Sequence, residues 1–239
     1  MPRLRHALTL ALLSSLAACT SVPRPTTAVK NTTKTFKTVV IDAGHGGKDN
    51  GAFRPYGGAE KTATLDVAKR LQRDLRESQL KTVMTRSSDV FISLDERVRI
   101  GNSQKNAVFV SIHFNDSRRR GIHGYETYYN SPGAQELASR IQTNLMTIPH
   151  SLNRGVKTAG FRVLRNLQYP SVLVECGFLS NRNEGGAARD YEYRQLLADR
   201  IAEGIVEIRY GKNVYHASAQ AQDAVEPGGP GLAPAKLRN

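Results

Sequence analysis

The chain has 239 residues, with 34 Lys and Arg against 21 Asp and Glu, a formal charge of +13 at pH 7. Its two cysteines, Cys19 and Cys176, are too few for a disulfide framework. So basic a balance suits an anionic partner, either nucleic acid or an anionic polymer or lipid surface.

The N-terminus narrows that choice. Arg3 and Arg5 precede an apolar run from Ala7 to Ala18, too short to span a bilayer and typical of a signal-peptide core. Leu16-Ala17-Ala18-Cys19 resembles the lipobox of bacterial lipoproteins. That resemblance implies removal of residues 1–18, acylation of Cys19 and anchoring on the periplasmic side of a bacterial envelope. Thr20 stands where an inner-membrane retention signal often has Asp, which favours the outer membrane. An exported chain has no nucleic acid to meet, so the expected partners are an envelope polymer and a membrane. Residues 19–34, rich in Thr, Pro and Lys without apolar period, read as lipid anchor and flexible tether. Residues 213–239, rich in Ala, Gly and Pro, read as a disordered tail. One domain remains, residues 35–212.

Within it, Thr38 to Ile41 reads as a strand, and Glu60 to Ser78 as a helix with Thr64, Ala68, Leu71 and Leu75 on one face. Leu80 to Thr85 follows as a strand. Ser93-Leu94-Asp95-Glu96 fits a capping box that opens a second helix. Ala107 to Ile112 is a nearly continuous apolar run, the pattern of a central strand covered on both faces. Gly124 to Tyr129 reads as a strand and Ala134 to Leu145 as a helix. Phe161 to Leu164 and Ser171 to Cys176 read as short strands. Leu196, Leu197, Ile201, Ile205 and Ile208 stripe a closing helix. The alternation predicts a single α/β domain, a mixed and mostly parallel sheet with helices on both faces. Ligands of such sheets gather at the carboxyl ends of the strands.

His45 lies just past the first strand, His113 at the end of AVFVSI, Glu175 near the end of SVLVEC, and Glu60 at the start of the first long helix. Four groups able to bind metal or carry protons thus converge on one rim. Two imidazoles and one carboxylate suit zinc, which in catalytic sites keeps an open position for water. A further carboxylate outside the metal set would move the proton, and Glu175, within an apolar strand, has the burial to raise its pKa for that task. The same residues also fit a zinc peptidase or deacetylase of the cell wall, or a non-catalytic wall-binding lipoprotein.

The stretches IDAGHGGKDNGA, GGAEKTATL, TRSSD, LDERVRIGN, VFVSIHFN and VKTAGFRVLRNLQYPSVLVECGFLSNRNE carry a more specific message. In this order, over about Val39 to Glu184, they resemble the zinc-dependent N-acetylmuramoyl-L-alanine amidases, hydrolases of bacterial peptidoglycan. The resemblance implies Zn2+ held by His45, Glu60 and His113, with Glu175 as the catalytic glutamate. It implies cleavage of the amide between N-acetylmuramic acid and the L-alanine of the stem peptide. Ala43 stands where many members have Pro, and Phe114 where a small or polar residue is common. Asn115 and Arg154 fall where substrate could reach them, and read equally well as a strand-end turn and a solvated loop. His123, His150 and His216 lie outside the motifs and read as structural or solvent-facing. Some members insert a helix that covers the zinc until a partner displaces it. Here Tyr128-Tyr129-Asn130 runs through Ser-Pro-Gly straight into the next helix, so no obligatory activator is expected.

Overall fold

The most apolar runs of the sequence form the middle of one sheet. The computed structural model describes residues 29–211, with strands β1 (Thr38–Ala43), β2 (Phe53–Arg54), β3 (Gly58–Ala59), β4 (Lys81–Met84), β5 (Ala107–Asn115), β6 (Tyr125–Tyr129), β7 (Asn153–Thr158) and β8 (Ser171–Phe178). Helices are α1 (Glu60–Glu77), α2 (Leu94–Ser103), α3 (Pro132–Leu145), α4 (Arg162–Arg165), α5 (Arg182–Ala187) and α6 (Tyr191–Tyr210). Six strands pair in the order β4-β1-β5-β8-β6-β7, and β2-β3 is a separate small hairpin. All pairs of the large sheet are parallel except β6–β8. This is the mixed, mostly parallel α/β sheet expected from the sequence.

The two faces are covered unequally. Val39, Ile41, Val108, Val110, Ile112, Val172 and Val174 point to one side, where they pack with Leu71 and Leu75 of α1, Leu137 and Ile141 of α3, and Leu197, Ile201 and Ile205 of α6. Each such side chain contributes about 1.5–3 kcal/mol by leaving water. α3 and α6 pack closely because Gly204 sits at their crossing, where a Cβ would come 2.8 Å from the Ile141 Cα. On the other side Val40, Phe109 and Leu173 join a smaller cluster with Val163, Leu164, Leu167 and Tyr169 around α4, against which Ile100 of α2 and Tyr128 of β6 pack. The C-terminal ends of β5 and β8 on that second side carry polar residues instead.

Three expectations change. Phe161 to Leu164 is no strand: residues 162–165 form α4, and Val163 and Leu164 cap the smaller core while Phe161 stays exposed. A stretch of four residues, three of them apolar, is too short to show a period, so strand and helix read alike there. β7 and α5 lie where no element was expected. The tether also ends earlier than residue 34. Lys30 N–H donates to the Gln168 carbonyl, the Thr32 hydroxyl donates to the Ala107 carbonyl, and Thr33 is buried. Backbone and hydroxyl groups dock this segment, which an apolar period cannot reveal. Residues 1–28, with the signal segment, Cys19 and the rest of the tether, and residues 212–239, with His216, lie outside the described residues.

Between α1 and α6 two buried carboxyls, Asp74 and Asp199, share Gln195 as a hydrogen-bond partner. Burial pushes Asp74 up to about 7, and the Asp199 charge adds to the rise. A carboxyl raised in the folded state contributes stability that is complete below its ordinary pKa of 3.8 and is lost as pH rises through about 7. Asp74→Asn is therefore expected to flatten the fall in stability between pH 4 and pH 8. At pH 8 it should raise Tm by about 2–4 °C, the shift that about 1 kcal/mol gives a domain of this size. Thermal melts at both pH values check this; an unchanged slope would show that Asp74 is not raised in the folded state.

Candidate active site

The His45 turn is held in a costly conformation by buried arginines. β1 ends at Ala43, and His45 follows with φ at +61°, a left-handed backbone that a non-glycine residue adopts only where its surroundings impose it. Arg97 supplies much of that constraint. Its Nη1 donates to the Asp42 carboxylate and the Ala43 carbonyl at 2.6 and 2.7 Å, and its Nη2 to the His45 carbonyl at 2.6 Å. Arg86 Nη2 and the Thr64 hydroxyl both donate to the Gly44 carbonyl, at 2.7 and 2.8 Å. Asp42 is 1% exposed and also accepts from Thr85 and Ser111. Burial opposes its charge, yet Arg97 and the two hydroxyls hold it below the usual carboxylate range. Gly44 is required for another reason: a Cβ there would lie 2.5 Å from the His113 ring.

Glu60 opens α1, where a carboxylate suits the positive end of the helix dipole. It is buried, and its two oxygens accept from Phe114 N–H at 3.1 Å and Ala52 N–H at 2.9 Å. Both imidazoles converge on it, His45 through Nε2 and His113 through Nδ1, each 3.0 Å from Glu60 Oε1. Burial pulls His45 down, but hydrogen bonds to Glu60 and Asp49 and their charges outweigh it and lift the ring to about 8. His113 is raised against its burial by the same Glu60, and Glu60 is driven far below the usual range by the two rings.

These donors fit a divalent cation. The three ligand atoms lie within 4.8 Å of one another. A tetrahedral ion with bonds of about 2.05 Å would separate its ligands by about 3.4 Å, and Glu60 Oε1 lies 3.0 Å from a nitrogen of each ring. The other ring nitrogen of His45 lies 2.9 Å from Asp49 Oδ2, and Gly51 N–H braces Asp49 Oδ1 at 3.0 Å. A carboxylate behind a ligand histidine fixes its orientation and tautomer. Among the described residues no other group of this kind is gathered closely enough to hold an ion.

Glu175 stands beside this cluster. It pairs in register with His113 on the neighbouring strand, so both side chains leave the sheet on the same, sparsely covered face. Its Oε2 is buried and has no hydrogen-bond partner among the described residues. Burial, with the charges of Glu60 and Glu126 added, lifts it to about 7. An orphaned buried carboxylate oxygen is rare in a folded protein and costs stability unless something else comes to meet it.

The family described as N-acetylmuramoyl-L-alanine amidase matches residues 39–207. The chain belongs to this family. It is 36% identical over 201 residues to the N-acetylmuramoyl-L-alanine amidase LytC of Bacillus subtilis, covering 81% of this chain and 40% of that longer protein. Among solved structures it superposes on the amidase AmiC2 of Nostoc punctiforme with a TM-score of 0.68 and 38% identity, covering 71% of this chain and 95% of AmiC2. The CwlD amidase of Clostridioides difficile, solved in complex with the GerS lipoprotein, gives a TM-score of 0.69 and 31% identity, with 72% and 98% covered.

Within this amidase fold the four rim residues expected from the sequence come together. The sequence reading missed Asp49, Arg86 and Arg97, although all three lie inside motifs quoted for the resemblance; the two arginines matter through their burial, which a charged residue does not advertise, and the half-exposed Asp49 through its contact with His45. Asn115 and Arg154 both bond to Glu126, a residue not singled out before. His123 and His150 take no part in the cluster and line a separate depression with Glu184 and Tyr193.

Proposed function

We propose that the chain hydrolyses the amide between N-acetylmuramic acid and L-alanine in peptidoglycan, with zinc held by His45, Glu60 and His113 and with Glu175 as general base and acid. The observation that carries the reading is the convergence of three metal-fitting donors and one unpartnered buried carboxylate on a single rim. Zinc bound there supplies Lewis acidity toward water and the scissile carbonyl. The residues of the chain do the rest. Glu175 accepts a proton from the attacking water, and its raised pKa lets it return that proton to the departing alanine nitrogen. Asp49, Arg86 and Arg97 keep the His45 ring aimed while this happens.

The test is digestion of purified peptidoglycan with and without a chelator, with products identified by mass. Intact stem peptides bearing a free L-alanine amine, lost on chelation and restored by zinc, are expected. Internal peptide cuts or released acetate would favour the peptidase or deacetylase instead.

We also propose that the chain works as a lipoprotein, anchored through Cys19 on the periplasmic side of the envelope, the outer membrane favoured. Its basic surface suits an anionic polymer. Within this proposal the enzyme needs no activator, unlike a family member that must shed a covering helix. The support is the connection from β6 to α3, where only Asn130 and Ser131 intervene before Pro132 opens the helix. With no covering segment in that connection, no population shift is required for activity. The chain from Val29 onward is expected to turn over peptidoglycan unaided. Silence in the pure protein, relieved many-fold by envelope extract, would show an inhibitory device elsewhere.

A further inference from the structure

Glu175 is flanked on the other side by a charged cluster that the proposed chemistry does not use. Glu126 of β6 lies directly opposite Glu175 in register, so the row His113, Glu175, Glu126 crosses three strands on one face. The Glu126 side chain is 4% exposed and is fully engaged. Its Oε1 accepts from Asn115 Nδ2 at 2.6 Å and the Tyr128 hydroxyl at 3.0 Å, and its Oε2 accepts from Arg154 Nε at 3.2 Å and Lys157 Nζ at 2.5 Å.

Two cations on one buried carboxylate leave a net positive charge. One would have neutralised it. Both heads remain partly open to solvent, at 30% and 42% side-chain exposure. Arg154 also lies over the Phe178 ring, and its terminal nitrogens make no hydrogen bond among the described residues. A guanidinium fork left free in this way matches the two oxygens of a carboxylate.

The backbone is bent to make this pair. In a regular strand, residues three apart such as Arg154 and Lys157 point to opposite faces. Here Tyr125 pairs with Asn153 and Thr127 with Val156, so Arg154 and Gly155 together oppose Glu126. The extra residue is a β-bulge, a device that re-aims side chains next to active sites. Gly155 takes φ +88° to form it, and the Asn153 side chain, itself held by Gln142, accepts from Gly155 N–H at 2.8 Å. Through the bulge both cations reach the Glu126 face.

We infer that Arg154 and Lys157, brought to one face by the Gly155 bulge and joined through Glu126, form an anion subsite for a carboxylate on the peptide side of the substrate. This rests on the amidase reading. The scale agrees with a definite group. In a stem peptide whose second residue is a γ-linked glutamate, the free α-carboxylate lies two residues from the scissile carbonyl, about 7 Å when extended. β6 lies about 4.8 Å from β8, and β7 about as far again, which brackets that reach. The peptide then runs from Glu175 toward β7, and the sugar lies toward the His45 turn.

The experiment uses the full chain and two synthetic muramoyl peptides identical except that this group is a carboxylate in one and a carboxamide in the other. The unaltered chain is expected to favour the carboxylate by about ten-fold or more in kcat/KM, the worth of one charge-assisted contact. Arg154→Gln and Lys157→Gln should each bring the ratio of the two probes toward one, chiefly through KM. Gly155→Ala provides a variant that keeps both cations. An added Cβ would meet nothing within 4 Å, so only the positive φ is penalised, and the ratio should fall again. Equal turnover of the two probes by the unaltered chain would overturn the subsite while leaving the amidase reading intact. The cations would then serve only to balance Glu126. Failure to cleave either probe would sink the amidase reading, and the subsite with it.

Discussion

Glu175→Gln is expected to bind zinc as the unaltered chain does and to lose about 10²–10⁴-fold in kcat. Amide and carboxylate have nearly the same size, so the neighbours of Glu175 in β8 have no reason to move. Glu175 lies outside the three-donor cluster, and its Oε2 holds no partner that the substitution could disturb. What disappears is a carboxyl that burial has tuned to about 7 and that can therefore both take and return a proton near neutrality. Metal content and single-substrate kinetics on the same sample decide it. More than about a tenth of the original turnover would reassign the proton to another group, because a working general base is seldom worth so little. His113→Ala offers the contrast: metal and activity should leave together.

Arg97→Leu should be the most destabilising change at the site, by about 3–5 kcal/mol, the usual penalty for leaving a buried charge unpaired. Asp42 is 1% exposed, and Arg97 is its ion-pair partner. The same substitution strips donors from the Ala43 and His45 carbonyls. Typical domains have only about 5–15 kcal/mol in total, so a large share of stability is at stake. Arg97→Lys keeps the charge but loses the fork and should fall between the two. Urea titration gives the stability, and metal titration of the folded fraction gives the second readout: weaker binding, because the His45 turn has lost its anchor. A loss under about 1 kcal/mol in Arg97→Leu would show that Asp42 finds other compensation.

The rim that gathers His45, Glu60, His113 and Glu175 was legible because strands announce where they end. VVIDA, AVFVSI and SVLVEC are apolar enough to be central, and whatever follows or closes them must sit at the rim. What supports the rim was not legible. Arg86 and Arg97 read as ordinary surface charges in a basic chain, and only the fold shows them buried against the backbone around His45. β7 was missed for a related reason. Its NRGVKT has neither alternation nor an apolar run, because a bulge breaks the period in the middle of the strand. FRVL failed in the opposite direction, since its four residues carry an apolar signal without a period. The Thr-rich segment before Phe36 binds through hydroxyls and main chain, and hydropathy says nothing about such contacts.

Cys176 follows Glu175 in β8 and faces the larger core, wholly buried, with burial pushing its thiol well above the ordinary range. In the chain from Val29 onward it is the sole thiol, since the sequence contains only one other cysteine, Cys19. An alkylating reagent can reach it only when the strand carrying Glu175 parts from α1, α3 and α6. The rate of its labelling at increasing denaturant is therefore a gauge, built into the molecule, of how often the centre of the sheet opens. Compared with the rate at which activity decays, it tells whether the active rim fails before the core or together with it.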